Sequence, residues 1–258
     1  QAQSRNHLET LSAPHRRQEA WRFCDLAPIA ELEPRQICSL GEPSAPGVSD
    51  QVTRLVLGTG QDPFAGVTLP KGLSPLSDAE LKHSLGHTLN LVTSKGQWPV
   101  AFNQAIASQV IGLRVHGIVD SPLELVCDAG ADRGVFAVRV LLVLEEKAKL
   151  ELLQVQLSSG ANLTSVLVEA HLQSEAKLCH GLLAFGHPQA ALLAHLAVEQ
   201  EPSSDVSLVS VCQGWGVIRH EPQLIQLNGG AKSQLRALQL VQANQLADTH
   251  SCVRFNGP

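Results

Sequence analysis

The chain has 258 residues, 17% of them charged, and a net charge of −5, so it can fill one large domain or two small ones and lacks the basic surplus that a nucleic-acid partner requires. No apolar run reaches the roughly 20 residues of a membrane helix, and residues 1–10 hold no signal-peptide core. The expectation is therefore a soluble, intracellular protein. Aromatic residues are only 3%, and Tyr and Met are absent. The missing initiator suggests a processed or trimmed chain. A core so poor in rings must be filled by Leu, Val, Ile and Ala, which suits a thin stack of aliphatic side chains.

Residues 5–33 read as helical, with Leu8, Leu11, Trp21, Phe23, Leu26 and Ile29 as apolar positions and Pro14 opening the segment around Arg16–Phe23. Residues 41–76 are rich in Gly, Pro and Ser and read as loop, with a short strand at Val52–Leu57. Ser77-Asp-Ala-Glu80 has the capping-box pattern, and Gly86 should end the short helix it starts. A further helix is expected at Val100–Val110, after Pro99. From about residue 112 apolar and polar residues alternate with the period of a strand, and no later stretch reads as helix. The domain organisation expected is a helical and irregular region over 1–111 and a β core over 112–258.

A repeat runs through that core. Ser121–Leu125, Ala148–Leu152, Ala176–His180, Ser204–Leu208 and Ala231–Leu235 align with starts 27, 28, 28 and 27 residues apart. Apolar strands at Val138–Leu144, Val166–Leu172, Leu192–Val198 and Leu224–Leu227 precede the later four of these units, each joined by a short polar turn. Two strands per unit at a fixed period is the pattern of a solenoid, because no single unit buries its own apolar face and stacked units do. A β-sandwich with chance spacing is the alternative. In a solenoid, equivalent positions form ladders. Leu123, Leu150, Leu178, Val206 and Ser233 should point inward, and Glu124, Glu151, Cys179, Ser207 and Gln234 outward. No capping helix follows the strand-like run Cys252–Phe255, so either polypeptide is missing there or another subunit covers the edge.

Motifs for chemistry are sparse. The phosphate-cradling GxxxxGK[ST] loop is absent; Gly58-Thr-Gly60 and Lys95-Gly96 read as turns. The six cysteines form no CxxC pair and read as reduced thiols. His83 and His87 are spaced i, i+4, but Gly86 lies between them, and they read as surface or capping residues. Asn162-Leu-Thr164 matches a glycosylation sequon and reads as a turn between strands. Asp248 with His250, and Glu169 with His171, share a strand face at i, i+2 and read as solvated surface. Cys179-His180 and His250-Ser-Cys252 are the close Cys/His pairs. Thiolate and imidazole suit soft metals and iron–sulfur chemistry, which makes Cys179, His250 and Cys252 the candidate ligands.

Several segments carry a family resemblance. Pro14–Leu26 resembles the N-terminal signature of the SufD branch of the SufB/SufD family of the Suf iron–sulfur cluster assembly system. Phe102-Asn-Gln-Ala105 with Gly112–Gly117 resembles the lead into that family's β-helix, and Glu145–Leu152 its first marked coil. Gly214–Arg219, Leu227–Gly229 and Asp248–His250 follow in the family's order. The resemblance implies a right-handed parallel β-helix preceded by a helical region. It implies a non-enzymatic scaffold without catalytic residues, paired with a SufB-like paralogue and a SufC-type ABC ATPase, and homodimeric when alone. It also implies no resident cofactor, a transient iron–sulfur cluster at a subunit interface, and a place in the bacterial cytoplasm or plastid stroma. Family members continue beyond residue 258, which puts ATPase binding by this chain in doubt, and the family's cluster residues do not transfer securely onto His250 or Cys252. The rival functions are a solenoid carbohydrate-active enzyme, which needs a carboxylate or Arg cluster on one face, and a passive binding solenoid.

Overall fold

The computed structural model describes residues 2–11, 13–24, 51–58, 60–94 and 96–256. Two strands come early: β1 (Thr53–Val56) and β2 (Leu73–Pro75). Three short helices follow: α2 (Asp78–Ser84), α3 (His87–Leu91) and α4 (Trp98–Ile106), after α1 (Ala2–Thr10) at the start of the chain. The remainder is strand: β3 (Gln109–Val115), β4 (Leu123–Asp128), β5 (Gly134–Leu144), β6 (Lys149–Leu157), β7 (Asn162–Leu172), β8 (Lys177–Phe185), β9 (Ala191–Gln200), β10 (Asp205–Gln213), β11 (Val217–Leu227), β12 (Lys232–Leu240), β13 (Leu246–Thr249) and β14 (Cys252–Asn256).

These strands alternate between two sheets, as a solenoid demands. One sheet runs β1–β4–β6–β8–β10–β12, all parallel. The other runs β2–β3–β5–β7–β9–β11–β13, with β14 also on β11, and only its β2–β3 pair is antiparallel. The sheets face each other across a core of stacked aliphatic residues that includes Leu142, Ala170, Val198 and Leu224 on one side and Leu150, Leu178 and Val206 on the other. The sandwich alternative is thereby excluded, since sandwich sheets are antiparallel.

The predicted ladders hold from the second rung on. Leu150, Leu178, Val206 and Ser233 are successive partners, as are Glu151, Cys179, Ser207 and Gln234. The first rung differs: Leu123 lies beside Leu152 and Glu124 beside Leu153. The turns β5–β6, β7–β8, β9–β10 and β11–β12 each contain a residue in the left-handed region, namely Lys147, Glu175, Ser203 and Asn228, with φ between 59° and 63°. That conformation costs a non-glycine residue energy. The stacked turn pays it back through bonds between coils, from the Lys147 N–H to the Ser174 carbonyl and from the Glu175 N–H to the Pro202 carbonyl.

The described helices pack on one sheet. α4 packs on β5, β7 and β9, and α3 on β7 and β9. Leu89, Val92 and Val100 meet Leu167, Ala197 and Ile225, while Trp21 and Phe102 meet Leu163, Leu193 and Val217. We therefore call the β5–β7–β9–β11 sheet the covered sheet and the other the bare sheet. Ser77 caps α2 with the reciprocal Glu80 bond of a true capping box, and Gly86 ends that turn at φ 86°. The last predicted helix begins and ends earlier than expected, at Trp98–Ile106, because Pro99 fits the first helical turn and Val110 already belongs to β3.

The expected N-terminal helix is largely replaced. α1 covers Ala2–Thr10, and over 16–23 there is a single 3₁₀ turn, Glu19–Trp21, rather than an α-helix. Trp21 is buried against the solenoid, so tertiary packing outweighs local helix preference there. Leu26, Ile29 and Cys38 lie outside the described residues.

Candidate functional site

The densest set of charged groups lies on the outer side of the covered sheet, beneath the N-terminal segment. Alternation along β11 turns Arg219 and Glu221 outward and His220 inward. Arg219 is 2% exposed and Glu221 3% exposed, so each needs a partner. Arg219 donates to Glu221 at 2.8–2.9 Å and to Asp248 on the next strand, and its guanidinium sits 4.5 Å from the Trp21 ring centroid. His195 Nδ1, one coil back, is 3.4 Å from Glu221, and His250 Nδ1, one coil on, is 3.8 Å away. Burial pushes the Glu221 carboxyl up, but the two imidazoles and the Arg219 charge outweigh it and hold the group well below the usual carboxylate range. A cleft of about 290 Å³, lined by Trp21, Trp98, Arg219, Glu221 and His250 among others, opens above this cluster.

A second buried carboxylate on the same sheet is equally committed. Glu169 is fully buried, accepts from Arg139 at 2.5 and 3.1 Å, and takes the Gly86 N–H at the start of α3 at 2.8 Å. Its strand neighbour on that face, His171, faces Glu201 at 3.2 Å and Glu199 at 3.8 Å. Asp248, Glu169 and their histidines were expected on solvated surface. The face was right, and His250 is exposed with Asp248 and His171 partly so, but Glu169 is fully buried, because Arg139 and the Gly86 N–H close over it.

Chemistry of the acid–base or nucleophilic kind needs a group poised near working pH. Glu221 is held ionised by its ion pairs, and Glu169 is tied to Arg139. Burial pushes the Cys127 thiol up to about 12 and the Cys212 thiol up to about 11, away from the thiolate that reacts. Burial likewise drives His180 down to about 3 and His220 down to about 4, leaving both neutral inside the solenoid. His180 Nε2 is 3.1 Å from the Gln154 amide oxygen.

The three candidate ligands do not converge. Cys179 is exposed on the outer face of the bare sheet, between Glu151 and Ser207. Cys252 is partly exposed on β14 and pairs with Gln223 of the covered sheet, where His250 also lies. The sheets themselves stand about 10 Å apart, so Cys179 cannot share one cluster with His250 and Cys252 in a single chain. Among the described residues no three His, Cys, Asp or Glu side chains form a metal-binding group, and Cys127, Cys179, Cys212 and Cys252 are free thiols. His83 and His87 fall on separate helices divided by Gly86, and His87 faces Glu199 at 3.6 Å instead. Asn162 opens β7 fully buried, receiving the Ser158 hydroxyl at 2.7 Å and donating to the Gly130 carbonyl at 3.1 Å. It thus begins a strand and brackets the preceding turn, rather than lying in a turn between strands. No described helix is long and apolar enough to cross a membrane.

The motifs that carried the family resemblance map onto structural joints. Asn103 donates from α4 to the Val138 and Ser165 carbonyls at 3.0 Å, clamping β5 to β7. Trp215 lies buried against Gly186 one coil back, where any side chain would meet its ring. The comparison with known proteins agrees with these joints. Residues 126–258, just over half of the chain, match the family model described as the SufBD core domain of the SUF system for FeS cluster assembly. A curated relative from Synechocystis sp. (strain PCC 6803), named an iron–sulfur cluster assembly SufBD family protein, is 24% identical over 280 residues. That similarity takes in 97% of this chain and 61% of the relative's length. The matched stretch begins within β4 and contains every later coil of the parallel solenoid, and on that ground the chain belongs to the SufB/SufD family.

Proposed function

We propose that this chain is a scaffold subunit for iron–sulfur cluster assembly, of the SufD kind, acting through its surfaces and without catalysis of its own. The observation that carries the reading is the coincidence of the SufBD core match with the solenoid coils. The state of the polar residues supports it: buried carboxylates are held in ion pairs and buried thiols are held protonated. A solenoid hydrolase or lyase would need a carboxylate cluster free to act, and Glu169 and Glu221 on the covered sheet are buried in ion pairs with Arg139 and Arg219. The cluster is cargo in this reading. Its contact with the chain, where one occurs, is at a subunit interface, with Cys179 on one face or His250 and Cys252 on the other as the available donors. The partners are a SufB-like paralogue and a SufC-type ATPase, the latter supplying the nucleotide chemistry for which this sequence has no loop. The setting is bacterial cytoplasm or plastid stroma.

The test is co-expression of the full-length protein with SufB-like and SufC-like subunits, followed by size-exclusion chromatography with light scattering. A stable mixed complex of defined mass supports the scaffold role. A monomer or homodimer that ignores both partners overturns it.

A further inference from the structure

All-parallel sheets are covered on both faces in ordinary folds, because both faces are apolar. The solenoid core covers the inner face of each sheet here, and helices cover the outer face of one. No described helix packs on the outer face of the bare sheet. Its outward residues on β4 and at Val155 of β6 are buried, so the open part of this face lies towards β8, β10 and β12, where outward positions divide into two zones. Near the strand ends they are aliphatic or aromatic: Leu183, Phe185, Val209, Val211, Leu238 and Leu240, of which Phe185 is 42%, Val209 39% and Leu238 52% exposed. Near the strand starts they are basic: Lys149 and Lys177 are direct partners, Lys232 follows beyond Asp205, and Arg236 lies beside Val209. None of these four cations is in an ion pair among the described residues. With Asp205 and Glu151 the strip carries four positive and two negative charges, a surplus of two, on a chain whose net charge is −5.

Neighbouring like charges on a sheet are unfavourable unless something opposite meets them. An exposed apolar strip is equally unfavourable unless something apolar covers it. Both point to the same occupant. The apolar rows run along the solenoid axis, one rung per coil at about 4.8 Å, close to the pitch of an α-helix at about 5.4 Å per turn. A helix lying along the axis would therefore set about one apolar residue against each rung. A strand is a poor occupant, since the backbone groups of the sheet are already spent on their own ladder. Further coils of the solenoid would stack beside β12 and leave this face uncovered.

We propose that the outer face of the bare sheet docks an amphipathic helix of another protein, with apolar residues at i, i+3 or i+4, and i+7, and acidic residues along one flank. The test places the photo-crosslinker p-benzoylphenylalanine at Phe185 or Val209 of the full-length protein in living cells, with His116, exposed on a turn, as control position. Crosslinked peptides are sequenced by mass spectrometry. The expected result is a crosslink into a segment of a different protein with that apolar spacing and acidic flank. The yield should fall about tenfold, the scale of a lost interface hot spot, in Lys149→Glu/Lys177→Glu, whose melting temperature should stay within a degree or two of the parent. The proposal is overturned by crosslinks into a second copy, elsewhere in the same chain, into lipid, or into a segment without that pattern. A yield no higher than that at His116 overturns it as well.

Discussion

Truncating Leu178 and Cys179, adjacent residues on one strand, tests the coil register directly. Leu178 is 2% exposed and sits between Leu150 and Val206 in the interior ladder, whereas Cys179 is exposed on the outer face. Leu178→Ala removes three buried carbon atoms and leaves a cavity between rigid neighbouring rungs, at a cost of about 2–5 kcal/mol. For a chain of this size that lowers the melting temperature by roughly 4–20 °C, at about 2–4 °C per kcal/mol. Cys179→Ala removes one sulfur from the surface and should stay within about 0.5 kcal/mol. Urea unfolding followed by far-ultraviolet circular dichroism measures both. A register slipped by one residue exchanges the faces of the strand, so it predicts the reverse order. Equal effects, or a larger effect at Cys179, would refute the stacking described above. Leu150→Asp is the harsher form of the same test and should abolish folding, because it places a carboxylate inside the aliphatic ladder.

Three further outcomes follow from buried groups. His180 and His220 are neutral in the fold, with values lowered to about 3 and about 4 from 6.5, so the unfolded chain binds protons that the folded chain refuses. Their stabilisation is complete above pH 6.5 and is lost as pH falls towards 4 and then 3; at pH 5 each group should cost about 2 kcal/mol relative to pH 8. Urea midpoints at the two pH values measure this, and His180→Gln should flatten the dependence between pH 6.5 and 5. Gly186→Ala places a carbon 2.2 Å from the Trp215 ring and should cost about 1–3 kcal/mol, with a shift in Trp emission. Arg219→Ala leaves Glu221 charged and buried without its cation and should cost about 3–5 kcal/mol in a thermal melt.

The sequence made the solenoid legible because its inward and outward positions repeat at a nearly constant period. It misplaced only the lowest rung. Ile118 lies beside Lys149 and Leu123 beside Leu152, offsets of 31 and 29, so the lower coil carries two extra residues around Ser121-Pro122. A two-residue slip keeps every side chain on its own face, so the apolar pattern could not detect it. The charged cluster was hidden for a different reason. Period-2 alternation correctly put Asp248 with His250, and Glu169 with His171, on an outer face. Whether that face meets water depends on Trp21, α3 and α4, and on Arg139 and Arg219 from strands about 30 residues away. No spacing rule links those segments. Cys179 was placed correctly on the outer face by the alternation of its own strand, and nothing described packs over it there.

The contrast between the two outer faces then bears on function. On the covered sheet, Arg139 pairs with Glu169, and Arg219 with Glu221 and Asp248, with the Trp21 ring over Arg219. Breaking any of these pairs leaves a buried charge, so the cluster fixes how the N-terminal segment sits on the solenoid. The thiols in the lumen are too hard to ionise to react. Exposed among the described residues are Cys179 and the lysines Lys149, Lys177 and Lys232 on the bare sheet, with His250 exposed and Cys252 partly exposed on the covered one. On the proposed scaffold role, the two outer faces stand about a sheet-pair thickness apart, and among the described residues neither holds three donors grouped for a metal. Under the scaffold reading, a cluster can form against this chain only where a second subunit supplies the missing ligands. Cys252→Ser or His250→Ala should therefore leave the isolated protein folded and alter iron–sulfur content only in the assembled complex.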